Sequence, residues 1–361
     1  LNAIKVNHKE LKDLVKLAYH SKRALIVVGG VGIGKSDSIR QASREIAASL
    51  KKEYSEDFAD INNEDKFVLI EQRATRFDPS DIRGLPVFRG DDTVWLKPNW
   101  IPKKGYGIVF LEELTQAPPL IQNSLQSLLL TRAVEERKLP DGYGIIAATN
   151  RPEDDAATFE VPANIRNCLL WCELSPPSAE EWCEWAAENG VHGSVITAIY
   201  RNPSWLYDKD VTPEMVSFRR PRTWEFVSNI IQCCEKLGIE PNETHIATAI
   251  GQGAAIEFMA FLKYHKQMKH FKEYLDGKED PPDKPDLLTA LISNVVEHYR
   301  KNLNAGTLEK VVRLALKMKE PEFATMLVKF CKNVDKKKFT TLFMKIPSNK
   351  EFASRFGKYI L

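Results

Sequence analysis

No stretch of the 361-residue chain is apolar for long enough to cross a bilayer, which excludes a helical membrane protein. Charge of one sign is not in excess either. Fifty-one Lys and Arg stand against 49 Asp and Glu, a formal net charge of +2, so no global field draws the chain to nucleic acid. Cysteine is sparse: six residues, at 168, 172, 183, 233, 234 and 331, with no C-x-x-C pair and no His at zinc-ligand spacing. They read as buried thiols, and Cys168 and Cys172 fall inside an apolar run where Cys acts as a small hydrophobe. Internal repeats and low-complexity tracts are missing as well, which excludes a solenoid. The first ten residues carry neither the charged start and apolar core of a signal peptide nor a lipidation motif, so the expected setting is cytoplasmic. One local charge run, Lys332-Asn333-Val334-Asp335-Lys336-Lys337-Lys338, reads as a solvated helix end.

What is present begins with Gly29-Gly30-Val31-Gly32-Ile33-Gly34-Lys35-Ser36, which fits G-x-x-x-x-G-K-[ST]. It follows the apolar run 24–28 and precedes the helix-compatible segment 37–50, the context that a phosphate-binding loop requires. Glycines let successive N–H groups turn inward toward phosphate oxygens, Lys35 reaches the terminal phosphates, and the Ser36 hydroxyl is a Mg2+ ligand. The chain is expected to bind a nucleoside triphosphate with Mg2+.

Four further β-rich runs, 67–71, 107–111, 144–149 and 168–174, alternate with helical patterns or long loops. This alternation predicts a mostly parallel sheet covered on both faces, with ligands at the carboxyl ends of its strands. After Pro176-Pro177 the pattern turns helical, starting at Ser178 with acidic residues in the first turn. The polar, proline-rich stretch 275–285 divides this half into two bundles.

The run Gly107-Ile108-Val109-Phe110-Leu111 ends in Glu112 and Glu113. Downstream of a phosphate loop, the first carboxylate is placed to hold Mg2+ through its water shell and the second to polarise an attacking water. Many nucleotidases carry Asp at the first position; the extra methylene of Glu112 changes how the metal is positioned. A further apolar run, 143–149, ends in Asn150, an amide placed between the terminal phosphate and the water. Arg151 and Pro152 follow it.

The order of phosphate loop, carboxylate strand, Asn-tipped strand and helical region resembles the AAA+ ATPases, in particular their MoxR-like, dynein-related type. Leu111-Glu112-Glu113-Leu114-Thr115-Gln116-Ala117-Pro118-Pro119 resembles that branch's Walker B strand and turn. Leu139-Pro140-Asp141-Gly142 leading to Asn150-Arg151 resembles its sensor 1 region, and Arg220-Pro221-Arg222-Thr223-Trp224-Glu225 its sensor 2 helix. Asp78-Pro79-Ser80-Asp81-Ile82-Arg83-Gly84-Leu85-Pro86 is similar to the segment after the second strand. The likeness runs from about residue 24 to about residue 261.

The resemblance implies an α/β fold: a P-loop ASCE core with a five-stranded parallel sheet over 1–174, an all-α lid over 175–274 and a C-terminal helical bundle over 286–361. It further implies an ATP hydrolase acting as a ring, usually a hexamer, with ATP between subunits. Lys35, Ser36, Glu112, Glu113 and Asn150 would act in cis, and Arg222 would report the phosphates to the lid. The family's trans arginine finger has its best match in Ile165-Arg166-Asn167, where the Arg is kept and its neighbours differ; Arg151 is a second candidate.

The segment 73–104 is long for a loop and reads as a functional insertion. In the family such insertions face the pore, so Phe88 and Trp95 are candidates to grip a polypeptide, while Trp100, between Pro98 and Pro102, reads as packing. Small and large apolar residues at 246–262 read as helix packing. The leading expectation is a MoxR-type ATPase that remodels or matures a partner protein; the resemblance makes a protein with a von Willebrand factor A domain the first candidate partner. The alternatives are a nucleotide-switched scaffold with little turnover and a nucleic-acid-associated ring ATPase, with nucleic acid the less favoured partner.

Overall fold

Alternation of buried side chains sets the two faces of the central sheet in the computed structural model, which describes residues 3–357 except 97, 135–136, 152–153, 155–157, 168, 213 and 268–269. Eleven strands occur among these residues: β1 Ile4–Val6, β2 Leu25–Gly29, β3 Glu53–Ser55, β4 Lys66–Arg73, β5 Leu85–Arg89, β6 Asp92–Leu96, β7 Tyr106–Glu112, β8 Ala133–Val134, β9 Arg137–Lys138, β10 Tyr143–Thr149 and β11 Leu170–Leu174. Seven of them form one parallel sheet in the order β1-β11-β2-β10-β7-β4-β3.

One face of that sheet carries Ile26, Val28, Val68, Ile70, Val109, Leu111, Ile145 and Ala147, which join Leu125, Leu128 and Leu129 of the helix α4, Pro119–Thr131, in a single core. Their neighbours in the chain, Leu25, Val27, Leu69, Phe110 and Ile146, are equally buried and point to the other face. Two helices cover that face: α1, His8–Ser21, and α2, Lys35–Ser49. Helix α1 buries Leu11, Val15, Ala18 and Tyr19, a spacing that keeps one stripe inward. Two shorter helices complete this half, α3, Pro79–Arg83, and α5, Ala163–Arg166. A strand buried on both faces reads as a continuous apolar run, which is why β2, β4, β7 and β10 were visible in sequence; β11 is only partly buried and was visible as an apolar stretch.

The sheet has two more strands than the five expected. Both additions, β1 and β3, are three-residue edge strands too short to show a period. The insertion at 73–104 is also more ordered than a loop. It holds a 3-10 turn, Ala74–Arg76, the helix α3, and a hairpin of β5 and β6 in which Arg89 pairs with Asp92 across Gly90-Asp91. Trp100 is 5% exposed and its Nε1 donates to the Asp81 carbonyl at 2.8 Å, so it packs as expected. Phe88 beside the hairpin turn is 88% exposed.

Packing divides the chain into two units, Leu1–Pro176 and Pro177–Leu361. The described residues of the second unit form helices and no strand. Its apolar core runs without a break from Trp182 to Phe356. Helices on both sides of the proline-rich segment share it: Val195, Ile199 and Phe258 lie in the same cluster as Leu288, Leu291 and Ile292. The segment itself is strapped to the helix Ala305–Lys317 by exposed pairs, Asp276 with Lys310 at 2.6 Å and Asp280 with Lys317 at 3.0 Å. The region 246–262 packs as expected, with Ile246, Ile250, Ala255 and Phe258 buried.

Of the described cysteines, Cys172, Cys183, Cys234 and Cys331 are buried and Cys233 is exposed, against the expectation of a buried thiol; Cys168 lies outside the described residues. No described helix is long and apolar enough to cross a membrane. Trp224 anchors the second unit: it is fully buried, its Nε1 donates to the Trp205 carbonyl at 2.8 Å, and its ring meets Phe258 edge-on at 5.4 Å. Trp224→Ala therefore should destabilise this unit by about 3–5 kcal/mol, read as an earlier midpoint in urea unfolding; a loss below about 1 kcal/mol would show that the site collapses around the missing ring.

Candidate functional site

Strand β2 is buried along its whole length and delivers the chain to the sheet's carboxyl edge at Gly29. There the backbone must reverse into α2, and it does so through Gly34, whose φ of 94° lies where an L side chain is strained. A Cβ at Gly34 would also come within 3.3 Å of His8 Nε2. Ile33 is 1% exposed and pins the loop to the core. His8, in the first turn of α1, braces it from outside, with Nε2 at 2.8 Å from the Ile33 carbonyl. A carbonyl only accepts, so this contact puts the His8 proton on Nε2.

Among the described residues the N–H groups of Val31, Gly32 and Gly34 meet no protein acceptor. They open beside the N-terminus of α2, the positive end of a 15-residue helix. Lys35 Nζ donates to the carbonyls of Gly29 at 2.7 Å and Gly30 at 2.8 Å and to Asn150 Oδ1 at 2.9 Å. Turned donors, a helix N-terminus and an ammonium group make a cradle for an anion of phosphate type.

The carboxylates converge on this cradle from β7. Glu112, the strand's last residue, accepts from Ser36 Oγ at 2.6 Å through Oε1 and lies 3.6 Å from Arg73 Nε through Oε2. Glu113 departs from the strand. Its φ of 60° is left-handed backbone at a non-glycine residue, a conformation that costs on the order of 1–3 kcal/mol and persists only when its surroundings hold it. The holding contacts are visible: its carbonyl accepts from the N–H groups of Gln116 at 3.1 Å and Ala117 at 3.2 Å, and its Oε2 accepts from Thr75 Oγ1 at 2.6 Å. The bend gives two adjacent carboxylates different partners.

A third carboxylate stands behind them. Glu71 on β4 accepts from Arg40 Nη2 at 2.5 Å. Burial, and then the negative charge of Glu112, push its carboxyl above the usual range, with Arg40 opposing both. Among the described residues no three His, Cys, Asp or Glu side chains converge as a metal centre. Ser36 and Glu112 instead offer one hydroxyl and one carboxylate, a donor set suited to Mg2+, which keeps much of its water and binds phosphate oxygens.

Asn150 follows β10 directly, and its Oδ1 contact with Lys35 leaves Nδ2 as its donor. The two arginines offered as a finger separate clearly. Arg151 is engaged locally, with Nε and Nη2 on Asp154 at 2.7 and 3.0 Å and Nη1 at 3.8 Å from Glu173. Arg166 closes α5, is exposed, and among the described residues its guanidinium has no partner. In the second unit, Arg222 sits in the first turn of the helix Pro221–Leu237, exposed and likewise without a described partner. Its neighbours are committed elsewhere: Arg219 to Asp208 at 2.7 Å and Glu257 at 3.2 Å, and Arg220, 6% exposed, to the ring of Tyr207 at 3.9 Å.

Of the residues named from sequence, Lys35, Ser36, Glu112 and Asn150 lie together; Thr75, Arg73, Glu71, Arg40 and His8 were not named. Arg73 and Glu71 were within reach of the argument, since both end the strand next to β7 and residues at strand ends share the site's edge. Thr75 lies two residues past β4, in a 3-10 turn that no periodicity announces.

No protein-family model matches the chain, and no curated protein matches it. Among solved structures it is similar to a Lys-to-Arg mutant of RuvB from Thermotoga maritima, at 11% identity and a TM-score of 0.38, over 80% of this chain and 81% of that one. It is also similar to NtrX from Brucella abortus in complex with ATP, at 12% identity and a TM-score of 0.35, over 97% of this chain and 67% of that one. A third is the ORC2 protein of Aeropyrum pernix in ADPNP–ADP complexes, at 13% identity and a TM-score of 0.35, over 92% and 94%. At these scores the likeness is weak, and the functional reading rests on the side chains described above.

The cradle generates one direct expectation. Lys35→Ala removes its only ammonium group, so affinity for a fluorescent ATP analogue should fall by roughly 10- to 100-fold or more, the worth of one or two charge-assisted hydrogen bonds. Unchanged affinity in a titration would show that the phosphates lie elsewhere.

Proposed function

We propose that the chain is an AAA+ ATPase of MoxR type that assembles as a ring, with a hexamer the expected form, and uses ATP binding and hydrolysis to remodel or mature a partner protein. The observation that supports this most is the meeting of three separate chain segments at one edge: Lys35 on Asn150, and Ser36 on Glu112. In this reading the loop N–H groups and Lys35 hold the β- and γ-phosphates. Ser36 and Glu112 hold Mg2+, which when bound neutralises charge developing on the phosphates. Glu113 takes the proton of the attacking water, and Asn150 orients that water through its free amide donor.

Hydrolysis in such a site also needs a cation on the departing phosphate. Arg166 is the better finger: it is exposed and its guanidinium has no partner among the described residues, whereas Arg151 would have to give up Asp154 and its approach to Glu173. Arg222 is the second-unit arginine fit to read the phosphates, because Arg219 and Arg220 are spent on their own unit. The hairpin of β5 and β6, with Phe88 and Trp95 exposed, is the element proposed to touch the polypeptide. A protein carrying a von Willebrand factor A domain is the partner that the resemblance favours.

The test is phosphate release against protein concentration, with light scattering on the same samples. Turnover per subunit should rise as particles grow, because a finger supplied in trans acts only in the assembly. Arg166→Ala should keep ATP affinity and lose that rise, and mixing it with Lys35→Ala subunits should restore part of the turnover. Flat, near-zero turnover at all concentrations, with ATP tightly bound, would instead favour a nucleotide-switched scaffold. Separately, Glu113→Gln should retain ATP affinity while turnover drops by about 10²- to 10⁴-fold, the usual contribution of a positioned base; surviving turnover would remove Glu113 from that role.

A further inference from the structure

The 3-10 turn Ala74–Arg76 has the hydrolytic carboxylates on one side and a cleft of about 690 Å3 on the other. Two arginines flank the turn and both line the cleft. Arg73 ends β4 and is 46% exposed; its contact with Glu112 is long, at 3.6 Å. Arg76 is exposed and has no described partner. Phe77 and Trp100, stacked at 5.2 Å, also line it, and Gln72 and Asn99 add amide groups. Leu85 and Leu96, paired at the base of the hairpin and 59% and 53% exposed, form an apolar shoulder. Gly84 makes that base possible, since a Cβ there would stand 1.9 Å from the Leu96 carbonyl.

We propose that this cleft binds an acidic segment of the polypeptide substrate, with a carboxylate held between Arg73 and Arg76, and that occupancy reaches the ATP site because Arg73 is shared with Glu112. The binding half stands on the cleft alone; the coupling half rests on the ATPase reading above and names the substrate class for it.

Three observations select this ligand. The arginine fork matches a carboxylate, and a bidentate contact at about 2.7–2.9 Å outcompetes a Glu112 contact made at 3.6 Å. Amides and an apolar shoulder beside that fork suit peptide groups and side chains, and the volume is of the size that specific ligand sites have. Glu71 and Asp81 stand in the same wall, so a chain with a charge on every unit, such as nucleic acid, is repelled where a peptide with spaced carboxylates is not. Arg73 drawn toward the cleft withdraws the guanidinium that faces Glu112 Oε2.

The experiment uses the full chain and a fluorescein-labelled ten-residue peptide of alternating glutamate and alanine, followed by anisotropy without nucleotide, then by phosphate release. The wild type should bind it, and Arg76→Ala should bind it at least about tenfold more weakly, the loss of one charge-assisted contact, with turnover in the absence of peptide unchanged. The peptide should alter wild-type turnover and leave that of Arg76→Ala unaltered. Equal binding of the glutamine counterpart or of a ten-nucleotide DNA, or unchanged binding by Arg76→Ala, overturns the site. Binding through Arg76 with no effect on measurable turnover overturns the coupling and keeps the site. Binding through Arg76 in a chain that releases no phosphate overturns the ATPase reading and, with it, the coupling.

Discussion

Parallel pairing in one fixed register is the constraint on which the site depends. Arg73 pairs with Glu112, Ala148 with Glu112, and Thr149 with Val28, so the last residues of β4, β7, β10 and β2 reach the same edge within two residues of one another. A slip of one residue would exchange the faces of an entire strand, taking Val109 and Leu111 out of the α4 core and turning Glu112 away from Ser36. Every apolar residue of the sheet therefore opposes displacement of the carboxylates. The chemistry is positioned by core packing well before any polar contact is made.

The polar contacts then decide how charge is arranged. Three carboxylates, Glu71, Glu112 and Glu113, crowd the edge beside β4 and β7, and each has its own counterpart. Arg40 serves Glu71, Arg73 and Ser36 serve Glu112, and the Thr75 hydroxyl serves Glu113. These groups are partly exposed, so the pairs contribute little to stability. Their value lies in direction. Glu71 and Glu112 face guanidinium groups, whereas Glu113 is held by a hydroxyl.

The legible part of this arrangement was the part that local sequence determines. The glycine-rich loop and the five apolar strands announce themselves because glycine spacing and apolar runs are properties of short segments. Edge strands of three residues do not. The hairpin in the 73–104 insertion had a usable signal, Gly90-Asp91 between two β-rich stretches, and it was overlooked because Pro86 weakens the first stretch as a strand. Thr75 had no signal at all, since its contact exists only because Glu113 adopts a left-handed backbone. The sequence ranked Arg166 ahead of Arg151, and what folds beside them separates the two further: Asp154 and Glu173 stand near Arg151, while the Arg166 side chain is exposed.

The glutamate at position 112, longer than the aspartate common at that place, also finds its reason in geometry. Its two oxygens span two elements, with Oε1 on Ser36 of α2 and Oε2 facing Arg73 of β4. The additional methylene lets one carboxylate lie between the loop side and the β4 side of β7. A metal held beside Ser36 and a guanidinium at the end of β4 would then compete for the same group, and the contact to Arg73 is the longer and weaker of the two. Glu112 is thus placed as a joint between the phosphate site and whatever the β4 end of the sheet contacts, a position that a side chain one carbon shorter reaches from only one side.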